Sequence, residues 1–267
     1  MITTPDLLQA GFLEHPFIHY QDTRFFYPNL NEQRKVFEVV HSFLCDQKDP
    51  YKNLGVVAGP VGSGKSMLAM KLAQTHFLLE NRGTMFGLYL NTNTLTEPRH
   101  FLMAVIEILG IQSARSNANR IENIYERLEQ SADQLLLVLD GPPVDQEYLT
   151  QLLDWSVEHQ KKIRTIIFLQ DLNNTVSNIG SLSQFLGLYV PFRSPSIQEI
   201  ASLLYARCRM AGLAEPLSVL PESKAIEIAE NAHGSLTESL FLASDYLSTV
   251  LEERKTKLTI PNLISQI

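Results

Sequence analysis

The stretch Gly59-Pro60-Val61-Gly62-Ser63-Gly64-Lys65-Ser66 has residue types and spacing that dictate a chemistry. It fits the pattern G-x4-G-K-[S/T] in full, the turn that cradles phosphate groups. Gly62 and Gly64 allow backbone N–H groups to point inward around phosphate oxygens. A helix that begins here adds partial positive charge at its N-terminus. Lys65 is placed to reach the outer phosphates, and the Ser66 hydroxyl to ligate Mg²⁺. Gly59, Pro60, Val61, Gly62 and Ser63 therefore form the turn, and Gly64, Lys65, Ser66 and Met67 open the helix of a nucleotide site. A second feature lies at 135–140, where the apolar run Leu-Leu-Leu-Val-Leu ends in Asp140 and looks like the metal-side strand of an ATPase. Many such strands continue with a glutamate that readies the attacking water. Here Gly141, Pro142 and Pro143 follow.

These groups need a scaffold, and the flanking pattern supplies one. "LGVVAG" reads as a short buried strand before the turn, and "SMLAMKLAQTHFLLE" as a helix after it, with Leu68, Leu72 and Phe77 near helical spacing. Further strands are expected at 84–91, 134–140, 163–170 and 188–192, and helices at 92–111, 116–130, 145–160 and 181–187. Thr94 with Glu97 fits a capping box, and Gly110 a helix end. Apolar strands without alternation, interleaved with helices, predict a parallel sheet covered on both faces. Its ligands bind at the carboxyl ends of the strands. From 194 onward the pattern is all-helical, at 194–213, 221–232 and 235–254. Ser196 with Glu199, and Ser235 with Glu238, fit capping boxes, so those glutamates are structural. The expected fold is thus an α/β P-loop NTPase sheet sandwiched by helices, followed by a small all-α lid. Its parts are an N-terminal leading segment packing on the core (1–50), the nucleotide-binding domain (51–193) and the helical lid (194–267).

Composition narrows the function classes. The 267 residues are 45% hydrophobic and 19% charged, enough for a sizeable core. A net charge of −7 argues against strong nucleic-acid binding, which rewards clustered Lys and Arg. The basic run Lys161-Lys162-Ile163-Arg164 reads as a solvated face. Cys45 and Cys208 have neither metal nor disulfide spacing, and Cys208 falls inside a helix as a packed thiol. Polar residues interrupt the N-terminus, and no apolar run approaches the ~18 residues of a membrane span. A cytoplasmic protein is expected.

The N-terminal stretch "GFLEHPFIHYQDTRFFYPNLNEQRKVFEVV" (11–40) resembles the opening of the ExeA/GspA-like ATPases. These are proteins of the AAA+ type associated with type II secretion and pilus assembly, and related to the TnsC/MuB-like transposition ATPases. The shared features are Gly11-Phe12, Glu14-x-Pro16-Phe17 and Asp22-x-Arg24-Phe25-Phe26-Tyr27, with further likeness at 90–111 and 194–212. Phe12, Phe17, Phe25, Phe26 and Tyr27 are expected to bury apolar area against the sheet, at ~1.5–3 kcal/mol each.

The resemblance implies ATP and Mg²⁺ as ligands, with Asp140 holding the metal through its water shell and Gln170 as a polar sensor beside the γ-phosphate. It also marks departures. The position after Asp140, usually Glu, is Gly141; glycine neither orients a water nor accepts its proton. Asp145 and Glu147 are the nearest replacements, but they suit the first turn of the following helix. Where the family shows Gln-Arg, an arginine acting on the neighbouring subunit, this chain has Gln184-Phe185; Arg193 matches the lid junction instead. Thr237 stands where the lid motif places an arginine. Loss of an arginine finger is worth roughly 10³–10⁵ in rate, and of a general base roughly 10²–10⁴. The expectation is an ATP-binding protein that uses nucleotide as a structural ligand or switch, with weak or absent hydrolysis. Its partners are other protein subunits, self or paralogue, with a secretion or pilus machine reached through a partner. The alternatives are an oligomeric ATPase completing its site with partner subunits, or an ATP-dependent DNA-associated regulator.

Overall fold

A computed structural model describes residues 3–18, 22–45, 49, 51–79, 83–92, 98–112, 115–131, 133–140, 155, 158–159, 162–170 and 184–264. The chain divides into two units.

The α/β unit comprises Glu32–Pro60 and Lys65–Arg193. Its strands are β1 (Leu54–Ala58), β2 (Phe77–Leu78), β3 (Thr84–Asn91), β4 (Gln134–Asp140), β5 (Ile163–Leu169) and β6 (Leu186–Pro191). They form one sheet in the order β2-β3-β4-β5-β1-β6. Four of the five pairings are parallel and β2–β3 is antiparallel. The sheet is therefore mostly parallel, not wholly so. Every residue of β1 and β4 is buried, as non-alternating apolar strands require when both faces are covered. Leu135, Leu137 and Leu139 of β4 pack with Phe101 and Val105 of α4 (Pro98–Leu109; α1 and α2 lie nearer the N-terminus) and with Ile124 and Leu128 of α5 (Asn117–Glu129). The Ser116 hydroxyl caps α5 by accepting from the Asn119 N–H, at 3.2 Å.

Three expectations for this unit need correction. The helix after the phosphate loop, α3 (Lys65–Gln74), stops short of Phe77, which lies in β2 opposite Met85. Tertiary pairing overrides an apolar period that runs on past the helix. Leu186 and Gly187, expected to close a short helix, begin β6; Leu186 pairs with Leu54 of β1 and Leu188 with Gly55. Arg164 is buried, not solvated: its guanidinium donates to the Phe43 carbonyl at 3.1 Å and lies 5.4 Å from that residue's ring centre. The capping box at Thr94 and Glu97, most of the helix at 145–160, and residues 181–183 of the helix at 181–187 lie outside the described residues.

The second unit comprises 1–31, Val61–Gly64 and 194–267. It holds α1 (Thr4–Gln9), α6 (Ile197–Met210), α7 (Glu222–Asn231) and α8 (Leu236–Ile264), while α2 (Asn31–Cys45) begins at its edge and runs into the α/β unit. The capping box at α6 is present. The Ser196 hydroxyl accepts from the Glu199 N–H, and the Glu199 carboxylate accepts from the Ser196 N–H at 2.9 Å and hydroxyl at 2.8 Å. The other Glu199 oxygen accepts from the Asn31 N–H at 2.8 Å, so one side chain caps two helices. At α8 the Ser235 hydroxyl accepts from the Glu238 N–H at 3.2 Å.

The aromatic residues of the leading segment pack here. Phe12, Phe17 and Phe25 are buried among Leu204, Cys208, Ile228 and Leu247, and Tyr27 lies against Ile200 and Leu203. The expectation that they cover the sheet is overturned: their partners are the C-terminal helices, whose apolar stripes need covering. Arg207 locks this packing, donating to the Pro16 carbonyl at 3.2 Å with its guanidinium 5.1 Å from the Phe25 ring centre. Burial pushes the Cys208 thiol up to about 12, as a packed thiol should be. Among the described residues, no helix is long and apolar enough to cross a membrane.

Candidate functional site

The phosphate loop begins where β1 stops. The Gly59 N–H donates to the Leu169 carbonyl at 3.1 Å, and the Phe192 N–H to the Ala58 carbonyl at 2.7 Å. This places the start of the loop, Gly59, at the carboxyl ends of β1, β5 and β6. A Cβ on Gly59 would meet the Phe192 carbonyl oxygen at 2.1 Å, so only glycine fits. Gly62 and Gly64 hold φ of 75° and 98°, the left-handed region that turns successive N–H groups to one side. Within the second unit, the Gly62 carbonyl accepts from the Leu236 N–H at 2.7 Å. Pro60 and Val61 are exposed, Ser63 is buried, and Ser66 and Met67 are half-buried in the first turn of α3 (Lys65–Gln74).

Lys65 is the first residue of that helix and is buried. Its Nζ donates to the Pro60 carbonyl at 2.6 Å. Burial lowers its pKa, and the nearby Asp140 charge works in the opposite direction. The lysine and the aspartate predicted from sequence therefore share one electrostatic neighbourhood. Asp140 is the last residue of β4 and is itself buried. Its backbone carbonyl accepts from the Thr92 N–H at 2.8 Å, which fixes the strand's exit. Gln170 follows β5, one residue beyond Leu169, which pairs with Ala58; it is exposed. Gly141, Asp145 and Glu147 lie outside the described residues.

One residue of the site was not singled out from the sequence. The Tyr89 hydroxyl donates to Oδ2 of Asp140 at 2.8 Å. Burial, and then the Asp140 charge and this bond, raise the tyrosine's pKa well above its ordinary value. The signal lay in the register. Asn91 pairs with Asp140 and Tyr89 with Val138, so Tyr89 shares the face of Asp140 one diagonal step away. No sequence pattern states that register before β3 and β4 are paired.

The donor set suits a hard divalent cation. Ser66 offers a hydroxyl and Asp140 a carboxylate, of which Oδ2 is taken by Tyr89 and Oδ1 has no hydrogen-bond partner among the described residues. Mg²⁺ prefers such a site, with one carboxylate, waters and substrate phosphates in place of an all-protein cage. Among the described residues no group of three or more His, Cys, Asp or Glu side chains offers such a cage.

Residues 48–173 match the family model described as an AAA domain. Solved structures share the fold around this stretch. Cdc6p from Pyrobaculum aerophilum is 18% identical, with a TM-score of 0.57 over 82% of this chain and 63% of that one. The ORC2 protein of Aeropyrum pernix, in ADPNP–ADP complexes, is 16% identical, with a TM-score of 0.61 over 86% of this chain and 71% of that one. The ORC1 protein of the same organism, in complex with DNA, is 18% identical, with a TM-score of 0.56 over 83% of this chain and 64% of that one. At these identities the likeness is one of fold, that of the AAA+ P-loop NTPases, with a helical region after the AAA domain. The chain spans 63% and 64% of the Cdc6p and ORC1 chains, less than two thirds of each. Comparison with curated proteins gave no match.

Proposed function

We propose that this chain binds ATP with Mg²⁺ and uses the nucleotide as a structural ligand or switch for assembly with protein partners, hydrolysing it slowly or not at all. The carrying observation is a complete phosphate loop, with left-handed glycines at 62 and 64, together with a buried Asp140 whose charge acts on Lys65. Loop N–H groups and Lys65 would hold the phosphates. Ser66 and Asp140 would hold Mg²⁺, which neutralises phosphate charge when bound. Gln170, leaving β5 next to the loop, would face the terminal phosphate. Gly141 supplies no carboxylate where a water-activating base belongs. Gln184-Phe185 and Thr237 supply no arginine. Binding and turnover thus draw on different residues, and the sequence keeps the first set.

Steady-state phosphate release by the full chain at saturating Mg·ATP tests this reading. The expected rate is on the order of 10⁻³ s⁻¹ or slower, the range of P-loop enzymes without a finger. Brisk turnover that disappears in Lys65→Ala would contradict it.

The resemblance of the leading segment to ExeA/GspA-like ATPases favours a secretion or pilus machine as the setting. A second reading, an ATP-dependent DNA-associated regulator, gains support from the fold neighbours solved with DNA, A. pernix ORC1 and Drosophila ORC. Salt-dependent DNA binding that requires ATP would favour it over the first.

A further inference from the structure

We infer that Tyr89 is a positioning residue for the divalent cation, acting through Asp140. The inference rests on the nucleotide reading above and assigns a role that neither the phosphate-loop pattern nor the acidic strand end contains. Asp140 is buried at the end of β4, and Tyr89 reaches it from β3 on the same face of the sheet. Its hydroxyl binds Oδ2 at 2.8 Å, a charge-assisted bond in a half-buried setting. Two consequences follow. The carboxylate loses its freedom to rotate about its last torsion, so Oδ1 keeps one direction. One of the carboxylate's two oxygens already accepts from a neutral donor, which limits its ability to turn onto the Lys65 ammonium nearby. Oδ1 then serves the cation's water shell. Partners of this kind orient a metal-binding group without touching the metal.

The mutation Tyr89→Phe removes the hydroxyl and keeps the ring. The full chain is titrated with a fluorescent N-methylanthraniloyl-ATP, first in EDTA and then at rising Mg²⁺, with a thermal melt of each variant. Tyr89→Phe is expected to need about tenfold more Mg²⁺ for half-maximal tightening of nucleotide, the low end for loss of an orienting partner. Its affinity in EDTA should match the wild type. Tyr89→Leu should show the same Mg²⁺ shift, because the hydroxyl and not the ring carries the effect. A wild-type Mg²⁺ midpoint in Tyr89→Phe overturns the inference. So does a shift that appears only in Tyr89→Leu, since ring packing would then be the cause. If the wild-type chain takes up no nucleotide with or without Mg²⁺, the nucleotide reading itself falls and this inference with it. That result is distinguishable from the others because it needs no variant.

Discussion

The two units assemble their cores by different routes. In the α/β unit, β4 contributes seven consecutive buried residues, Gln134–Asp140, and pairs with β3 and β5 in unbroken register. In the second unit, Phe12, Phe17 and Phe25 meet Leu204, Cys208 and Leu247, and Arg207 donates to a carbonyl 191 positions away. The first core is written in short contiguous runs. The second exists only after the chain's beginning has returned to its last third. The groups that would hold phosphate and metal follow the first route: they sit at strand ends and in one loop.

That contrast can be broken by truncating one core at a time. Phe25→Ala removes a ring that is 2% exposed and leaves the Arg207 guanidinium without its aromatic face. It should cost about 3–5 kcal/mol. Leu137→Ala, at 1% exposure in β4, should cost about 2–5 kcal/mol. Hydrogen exchange resolved along the chain should show the first loss concentrated in residues 3–18, 22–31 and 194–254, and the second in β3, β4 and β5. Equal loss everywhere in both variants would mean that the units do not have separate cores.

A smaller effect sharpens the picture at the double cap. Ser196→Ala should cost about 1 kcal/mol, as loss of an N-cap usually does. Glu199 adds a pH signature. Burial alone would raise its pKa, but bonds from the Ser196 N–H and hydroxyl and from the Asn31 N–H outweigh it and hold the carboxyl below its ordinary value. A lowered folded pKa means stability that is fully present above the ordinary carboxylate value of 4.5 and is lost as pH falls through the folded value. The stability difference between wild type and Glu199→Gln should therefore be largest at neutral pH and shrink below about pH 4.5. Chemical denaturation across that range checks it; a difference independent of pH would show that the carboxylate charge is not involved. The smallest effect is expected at Lys224, whose pair with Glu227 at 2.6 Å lies at the surface of α7. Lys224→Ala should stay within about 0.5 kcal/mol in a thermal melt.

How much of this was legible follows the same division. The bounds of β4, and of β5 to within one residue, could be read because parallel strands buried on both faces leave nearly uninterrupted apolar runs; those of β3 could be read although most of its residues are only half-buried. The phosphate loop was legible because its backbone geometry demands glycine at fixed steps. Phe77 was misplaced, since its apolar side chain continues the helical period of α3 while its actual partner, Met85, is set by sheet pairing. The aromatic leading segment was assigned to the wrong partner for a related reason: burial can be inferred from composition, but not against which element. Tyr89 escaped notice because its role depends on a register between strands separated by two helices.

The central claim is that the loop at 59–67 binds a nucleotide triphosphate. Isothermal calorimetry of the full chain with Mg·ATP tests it most directly. Saturable binding by the wild type, weakened severalfold or more by Lys65→Ala in a variant with an unchanged melting temperature, is the predicted result. No heat of binding from folded wild-type protein, with its melting temperature unmoved by Mg·ATP, would contradict it.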